Sequence, residues 1–310
     1  MRGVHGEKIV SALESDKIPE CDKVRLKEAL TKYDAWVKNL NCWEDEESPD
    51  DVEKLIDKLV DFLNEYKKFI DINLIYDSTE DFLYRQKGQL KLDNTVMEEF
   101  LPILVRRCVE KEFGETNIDI DSQIKIYSSA YFASSLTMPD IGGGLSIKTK
   151  DQDFSMSRKL YLQASYSDSF SSAETVKLTT HIGYVLAELK TNLDKTMFQE
   201  ASATAHDVKV AVTGAKYYLL CDYLDMTPIS SKTTNIDEIL ILRKAKRLSS
   251  NIRKSFNTYE GRQKYRTRYV DYINNNPYSK DVLKRFIYHI FSQIKDDSII
   301  DNDVLDIGYF

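Results

Sequence analysis

The sequence predicts an α/β protein in which a mixed sheet is flanked by helices and preceded by a helical N-terminal region. Three observations carry that reading. Apolar residues recur at helical spacing up to about residue 112, and beyond Gly114 they alternate instead. Strand, helix and strand then follow one another within about 35 residues, the pattern of a crossover unit.

In the N-terminal part, Val24, Leu26, Leu30, Tyr33 and Trp36 lie near helical spacing, as do Val52, Leu55, Leu59, Val60, Leu63 and Tyr66. The acidic run from Glu44 to Glu47, followed by Ser48 and Pro49, separates these two helices, and Ser48 or Asp50 is available as a cap. A third helix is predicted over about 94–112, through Met97, Phe100, Leu104 and Cys108, with Pro102 in its first turns. No chemical motif occurs here, which leaves a structural or partner-binding layer.

After Gly114, the even spacing of Ile118, Ile120, Ile124 and Ile126 predicts extended chain, as does the alternation from Leu145 to Lys150. Gly142, Gly143 and Gly144 between them form no phosphate loop, because the Lys-Ser/Thr that should follow is missing. Residues 158–164 and 181–190, joined by a Ser-rich stretch, read as a hairpin with a long polar tip. A helix is predicted from Thr191 to Lys209, with Phe198, Ala201, Ala205 and Val208 on one face and Thr196-x-x-Gln199 as a capping box. Ala215 to Cys221 is then a strand, so part of the sheet is parallel. Ile239 to Leu242 fits a short strand or the start of a helix, and beyond Thr258 two helices break at Asn274 to Pro277. The expected division is a helical region over 1–113, an α/β core over 114–250 and a helical, basic region over 251–310.

The 310 residues allow one large or two modest domains, and 42% hydrophobic with 30% charged residues, 11 Gly and 6 Pro exclude collagen-like, linker-like and disordered classes. Nineteen tyrosines hint at surfaces that are both apolar and hydrogen-bonding. Met1 to Ala12 lacks the apolar core of a signal peptide, and no stretch approaches a membrane span, which points to the cytoplasm. Cys21, Cys42, Cys108 and Cys221 stand far apart with no C-x-x-C spacing, so reduced, mostly buried thiols are expected. The net charge of −7 is unevenly spread: Ile241 to Arg285 holds 13 Lys and Arg against Glu260, Asp271 and Asp281, a local balance of +10. Such asymmetry suggests a localised nucleic-acid surface, or else a solvated helix face.

One constellation carries chemistry. Tyr184 to Ala187 reads as a strand buried on both faces that runs into Glu188 and Lys190. Residues two apart on a strand share a side, so this carboxylate and ammonium project together. Buried charge needs a partner or a metal, and a hard divalent cation takes carboxylate oxygens. A second acid follows from the hairpin: with a tip near Ser171, facing residue numbers sum to about 342, which sets Asp151 and Asp153 opposite Glu188 to Lys190. Asp153 is preferred over Asp151 because Phe154 anchors it, whereas Asp168 sits at the tip, ~20 Å away. His5, His181, His206 and His289 do not cluster, and no Gly-x-Ser-x-Gly elbow supports a serine hydrolase.

Asp153 followed by Glu188-Leu-Lys190 resembles the Asp...(Asp/Glu)-x-Lys signature of the PD-(D/E)xK nuclease superfamily. The longer block Ala187 to Ala201, with Thr204-Ala205, Lys209, Tyr217 to Cys221, Leu224 to Pro228 and Leu242 to Leu248, resembles the BbvCI-like type II restriction endonucleases. That resemblance covers about 151–248. It implies a restriction-endonuclease-like fold and site-specific cutting of double-stranded DNA at asymmetric CC-T-N-A-G-C-type sites by paired subunits, either a homodimer or a heterodimer. It further implies Mg²⁺ held by Asp153 and Glu188, with Lys190 orienting or deprotonating the attacking water and 5′-phosphate ends as product. Here the middle acid is Glu188, and the signature's Pro does not precede Asp153. Lys195 and Gln199 are then candidates for phosphate contacts near the site. Arg243, Lys244, Lys246 and Arg247, together with Arg262, Lys264, Arg266 and Arg268 interleaved with Tyr265 and Tyr269, are candidates to follow the DNA backbone. The rival readings are a non-cleaving DNA-binding or assembly subunit and a less specific repair or RNA nuclease.

Overall fold

The computed structural model describes residues 2–41, 49, 51–296, 305 and 308. Before the first strand come α1 (Val4–Glu14), α2 (Glu20–Asn41), α3 (Val52–Lys68), α4 (Asp81–Gln86) and α5 (Thr95–Phe113), with a π-helical stretch, Phe69–Tyr76, continuing α3. The two helices read from Val24 to Trp36 and from Val52 to Tyr66 are α2 and α3. Asp51 caps α3 by accepting from the Lys54 backbone N–H at 2.7 Å, while Glu44 to Ser48 and Asp50 lie outside the described residues. The first two turns of α5 are buried on every side, from Thr95 to Pro102, so this helix runs through the middle of the packing and not along its surface.

The seven-stranded sheet comprises β1 (Asp119–Asp121), β2 (Ile124–Phe132), β3 (Leu145–Gln152), β4 (Phe154–Ala164), β5 (Val176–Leu193), β6 (Lys216–Leu224) and β7 (Glu238–Lys246). Its order is β1-β4-β5-β2-β3, and β6 and β7 extend from β5 in parallel. β5 is therefore the axis of the molecule: along its 18 residues it carries β4 on one side, and on the other β2 near His181 and β6 from Val185 onward. The segment from 239 to 242 is resolved as strand.

The hairpin forms as expected, with facing numbers summing to 341 from Phe154↔Ala187 and to 340 at Ala164↔Val176. The difference is a β-bulge. Met156 faces Val185 but Ser157 faces Gly183, so Tyr184 is an extra residue on β5. Tyr184 is accordingly 37% exposed, whereas the sequence reading buried it with Val185, Leu186 and Ala187. Gly183 is required beside the bulge, because a Cβ there would stand 2.6 Å from Leu186 and 2.9 Å from Ile126. Asp168 lies in the loop beyond the strand ends, ~40 Å or more from Glu188 along β5 and so farther than expected.

Strand β5 continues to Leu193, and α6 (Lys195–Ala211) begins later than the predicted Thr191. Its cap is Asp194, accepting from the Met197 N–H at 3.0 Å, and not the Thr196/Gln199 box. Phe198, Ala201, Ala205 and Val208 of α6 pack on one face of the sheet against Leu186, Tyr217, Leu219 and Cys221. On the other face a larger core unites residues of α1–α5 with Phe154, Val185, Ala187, Leu220 and Leu242. After α7 (Ser250–Ser255), α8 (Tyr259–Lys264) and α9 (Arg266–Asn275), α10 (Lys280–Asp296) lays Leu283, Phe286, Ile287 and Ile290 into that same core. Cys108 and Cys221 are buried free thiols and Cys21 is exposed, while Cys42 lies outside the described residues. No helix among the described residues is long and apolar enough to cross a membrane.

Candidate active site

Because β5 pairs with β6 in parallel register, Glu188 stands beside Leu219 and Lys190 beside Cys221, so both side chains leave the sheet on the α6 face. Asp153 occupies the single-residue link between β3 and β4, where buried Phe154 fixes the chain. Its Oδ2 accepts from the Leu189 backbone N–H at 2.8 Å, between the two charged residues of β5. Lys190 Nζ lies 2.6 Å from Glu188 Oε1, and the Tyr217 hydroxyl donates to Glu188 Oε2 at 2.8 Å. The structure thus brings Asp153, Glu188 and Lys190 together, whereas Asp151 is exposed on β3 opposite Lys125.

Electrostatics separate the roles of these groups. Burial pushes the Asp153 carboxyl up to about 6; the charges of Glu98 and Glu188 add to this, while the Leu189 N–H and Lys190 oppose it. Burial alone would lower Lys190, but the hydrogen bond and charge of Glu188 outweigh it and hold the ammonium above its ordinary value. Lys190 therefore carries its proton at neutral pH.

Three neighbours escaped the sequence reading. Glu98 of α5 is buried and accepts from Gln123 Nε2 at 2.8 Å, and its charge reaches Asp153. Asn94, just before α5, accepts from the Thr191 hydroxyl at 2.6 Å and so ties the end of β5 to that helix. Tyr217 is the third. A signal for Glu98 was present: two adjacent carboxylates, Glu98 and Glu99, interrupt an apolar helix between Met97 and Phe100, and buried charge requires a partner. Glu99 finds its partners elsewhere, in the Tyr33 hydroxyl and the His5 backbone N–H.

Among the described residues no group of three or more His, Cys, Asp or Glu converges as a ready-made metal cage. Asp153 and Glu188 still fit a hard cation. Mg²⁺ is commonly held by one or two carboxylates, with water and substrate phosphate completing its shell, and the raised carboxyl of Asp153 marks a site short of positive charge. A cavity of about 780 Å³ among α3, α5 and α10, lined by Glu53, Lys54, Lys111 and Tyr288, contains none of these groups.

The sequence model of the Bpu10I restriction endonuclease matches residues 89–310, a span that takes in α5, the whole sheet and the helices after it. The chain belongs to the Bpu10I restriction endonuclease family. The fold is also that of a chain in the native BbvCI A2B2 tetramer, at 17% identity and a TM-score of 0.54, over 82% of this chain and 88% of that one. No curated protein matches in sequence. The resemblance drawn from residues 151–248 therefore holds at the level of family and fold.

In this Bpu10I-family chain the basic stretch from Ile241 to Arg285 differs from the expected phosphate track. Arg243 is buried: it pairs with Asp71 at 3.1 Å, donates to the Asn276 carbonyl at 2.9 Å and stacks on Tyr278. Arg262 is fully buried and donates to the carbonyls of Tyr76, Phe256, Ser78 and Glu80, each at 2.9 Å. Both are structural, because a guanidinium buried among carbonyls and carboxylates cannot reach a phosphate. Lys244 pairs with Asp281, Arg247 with Asp225, and Arg266 with Asp77 through two bonds of 2.8 and 2.7 Å. Lys280, Lys284 and Arg285 likewise meet Asp61, Asp57 and Glu238. The excess of cations is thus largely consumed inside the molecule. Lys246, Lys264 and Arg268 are exposed and make no carboxylate pair among the described residues. Lys195 and Gln199, exposed in the first turns of α6, stay available beside the end of β5.

Proposed function

We propose that the chain is a subunit of a type II restriction endonuclease that hydrolyses phosphodiester bonds of double-stranded DNA at a specific site, leaving 5′-phosphates. The observation that carries this reading is the junction of Asp153, Glu188 and Lys190 at the end of β5, supported by the family match. Asp153 and Glu188 would hold Mg²⁺, which when bound supplies positive charge against the phosphate in its transition state. Lys190, protonated, orients the attacking water and offsets charge on the scissile group and does not act as the base. Tyr217 fixes the rotamer of Glu188, and Glu98 adds negative potential behind Asp153. The A2B2 composition of the BbvCI assembly supports a second subunit, either a copy of this chain or a different one. The division into a helical region over 1–113, a nuclease core over 114–250 and a basic helical region over 251–310 is proposed with it. Incubation of defined plasmids with and without Mg²⁺ tests the function: discrete metal-dependent bands support it, no cutting favours a binding subunit, and a smear favours a non-specific nuclease.

The acid pair gives a sharper expectation. Asp153→Asn should not cut, whereas Asp168→Asn, remote in the hairpin loop, should cut normally; the reverse result removes Asp153 from the site. The same substitution should stabilise the metal-free protein. A carboxyl raised to about 6 in the fold favours the folded state fully only below its unfolded value near 4, and that contribution is lost as pH rises through about 6. At pH 8 the ionised Asp153 costs the empty site on the order of 3 kcal/mol, so Asp153→Asn should unfold at a higher temperature there and show no such gain at pH 4. For the unmodified protein, Ca²⁺ affinity should fall about tenfold per pH unit below about 6 as the proton competes with the metal. A pH-independent affinity would mean that another group binds the ion.

A further inference from the structure

With most of the C-terminal cations paired and Lys246, Lys264 and Arg268 left exposed, the strands supply a second reservoir of positive charge. β2, β4 and the part of β5 up to Ala187 contain no Asp or Glu, yet they carry Lys125, Arg158, Lys159 and Lys177, and β3 adds Lys148 and Lys150. Their register sorts these side chains by face. Lys159 faces His181, which faces Ile126, which faces Lys150. Ile126 packs against α6 and Lys150 pairs with Asp207 on that helix at 2.7 Å, so all four point to the α6 side. Lys148 and Lys177, two and four residues along their strands from Lys150 and His181, share it. The bulge at Tyr184 places Glu188 and Lys190 on this same face.

Beyond α6 this face is open. Lys148, Lys159 and Lys177 are exposed and form no carboxylate pair among the described residues. Lys148 lies over Tyr131 at 5.5 Å and Lys159 over Tyr161 at 5.4 Å, and these rings are 45% and 69% exposed, with Gln163 and Thr179 beside them. Lysine stems resting on exposed tyrosines, among polar side chains and with the nearby Asp207 already paired to Lys150, complement a polyanion, whereas a protein partner would leave three ammonium groups to be desolvated. The opposite face of the same strands presents Leu160, 40% exposed, and Leu162, and it carries the other two cations, Arg158 and Lys125, the latter facing Asp151.

We infer that the lysine face of the β2–β5 arm, through Lys148, Lys159 and Lys177, is the main duplex-binding surface of the protein and grips the DNA backbone remote from the cut. At ~3.3 Å per residue, His181 opposite Lys159 is ~20 Å from Glu188, and Lys177 is ~35 Å away, about one helical turn of B-DNA. The contacts therefore fall about 6 to 10 base pairs from the scissile phosphate. This rests on the reading of the chain as a DNA-cutting subunit, but its test scores binding and not cutting.

The test uses the full chain, with any subunit that co-purifies, in Ca²⁺. The triple variant Lys148→Gln, Lys159→Gln, Lys177→Gln is compared with the unmodified protein on specific and random duplexes at several KCl concentrations. Each lost phosphate contact flattens the slope of log affinity against log salt by about 0.9, so the triple variant should lose about 2.7, equally on both duplexes. Hydroxyl-radical protection 6 to 10 base pairs from the cut should vanish with it. An unchanged slope overturns the inference, and an unchanged slope with a smaller assembled mass in sedimentation identifies the face as a subunit contact instead. Leu160→Gln, on the other face, should leave the slope alone; equal flattening by this variant also overturns the assignment. A protein that never cuts plasmid but shows the expected slopes would sink the nuclease reading and leave this surface standing.

Discussion

Lys190→Ala and Glu188→Gln should each reduce cleavage by at least about a thousand-fold while leaving DNA affinity in Ca²⁺ within about threefold. The first removes the ammonium that sits 2.6 Å from Glu188 and would act on the charged phosphate; the second removes the charge that holds that ammonium and would hold the metal. Losses of this order follow the removal of a group that acts on transition-state charge. Neither residue belongs to the exposed cations proposed to supply binding, which is why affinity should survive. Single-turnover cutting of a radiolabelled duplex measures the first quantity and gel-shift titration the second. Near-normal cutting by either variant would remove the end of β5 from the chemistry. Tyr217→Phe deletes only the hydrogen bond to Glu188 and should give an intermediate loss, with the rate recovering as Mg²⁺ is raised.

Arg243→Gln should lower stability by about 3 to 5 kcal/mol, the usual result of removing one partner from a buried ion pair, equivalent to roughly 5 to 8 °C in the melting temperature. Its guanidinium is enclosed by Asp71, Asp222, Tyr223 and Tyr278, and Asp222 is already pushed upward by burial with Arg243 as its main counterweight. Asp222 would lose its main counter-charge, and Asp71 would keep only Lys67. Lys246→Gln, only three residues away but exposed, should stay within about 0.5 kcal/mol. Thermal denaturation of both variants measures the contrast. Equal stability would mean that the buried network contributes nothing. A joint replacement of Arg243, Lys244, Lys246 and Arg247 would therefore confound loss of fold with loss of DNA contact.

Elements set by local periodicity were legible. The α2 and α3 stripes, the hairpin and the β5–α6–β6 crossover all follow from spacing, and the hairpin register was close enough to choose Asp153 over Asp168 before any side chain was located. What spacing cannot show is the partner of a charge. Arg243 meets Asp71 from 172 positions away, and Arg262 donates to Tyr76 across 186. A count of cations along the chain registers both as surface charge, because the acids that consume them lie in the N-terminal helices. Glu98 was hidden for the same reason: its place near Asp153 depends on how α5 crosses under the sheet. The bulge was equally invisible, since Gly183-Tyr184 interrupts an apolar run without changing its composition.

That one extra residue sets the phase of the molecule. If β5 were paired as a regular strand with no bulge at Tyr184, the odd-numbered lysine and histidine at 177 and 181 and the even-numbered acid and lysine at 188 and 190 would point to opposite sides, since a strand reverses side at every step. The bulge acts as a half-turn coupling in a rigid shaft, bringing two segments that differ in parity onto a common side. Insertions or deletions in β5 are consequently not equivalent by size. One residue added between Ile182 and Ala187 without a second bulge would turn the arm away from the chemistry while leaving both halves intact, whereas loss of Tyr184 itself, or a change of two residues, would keep them aligned. Without a further bulge, the reach of the arm along a linear polymer can change only in steps of two residues, about 7 Å, or close to two base pairs.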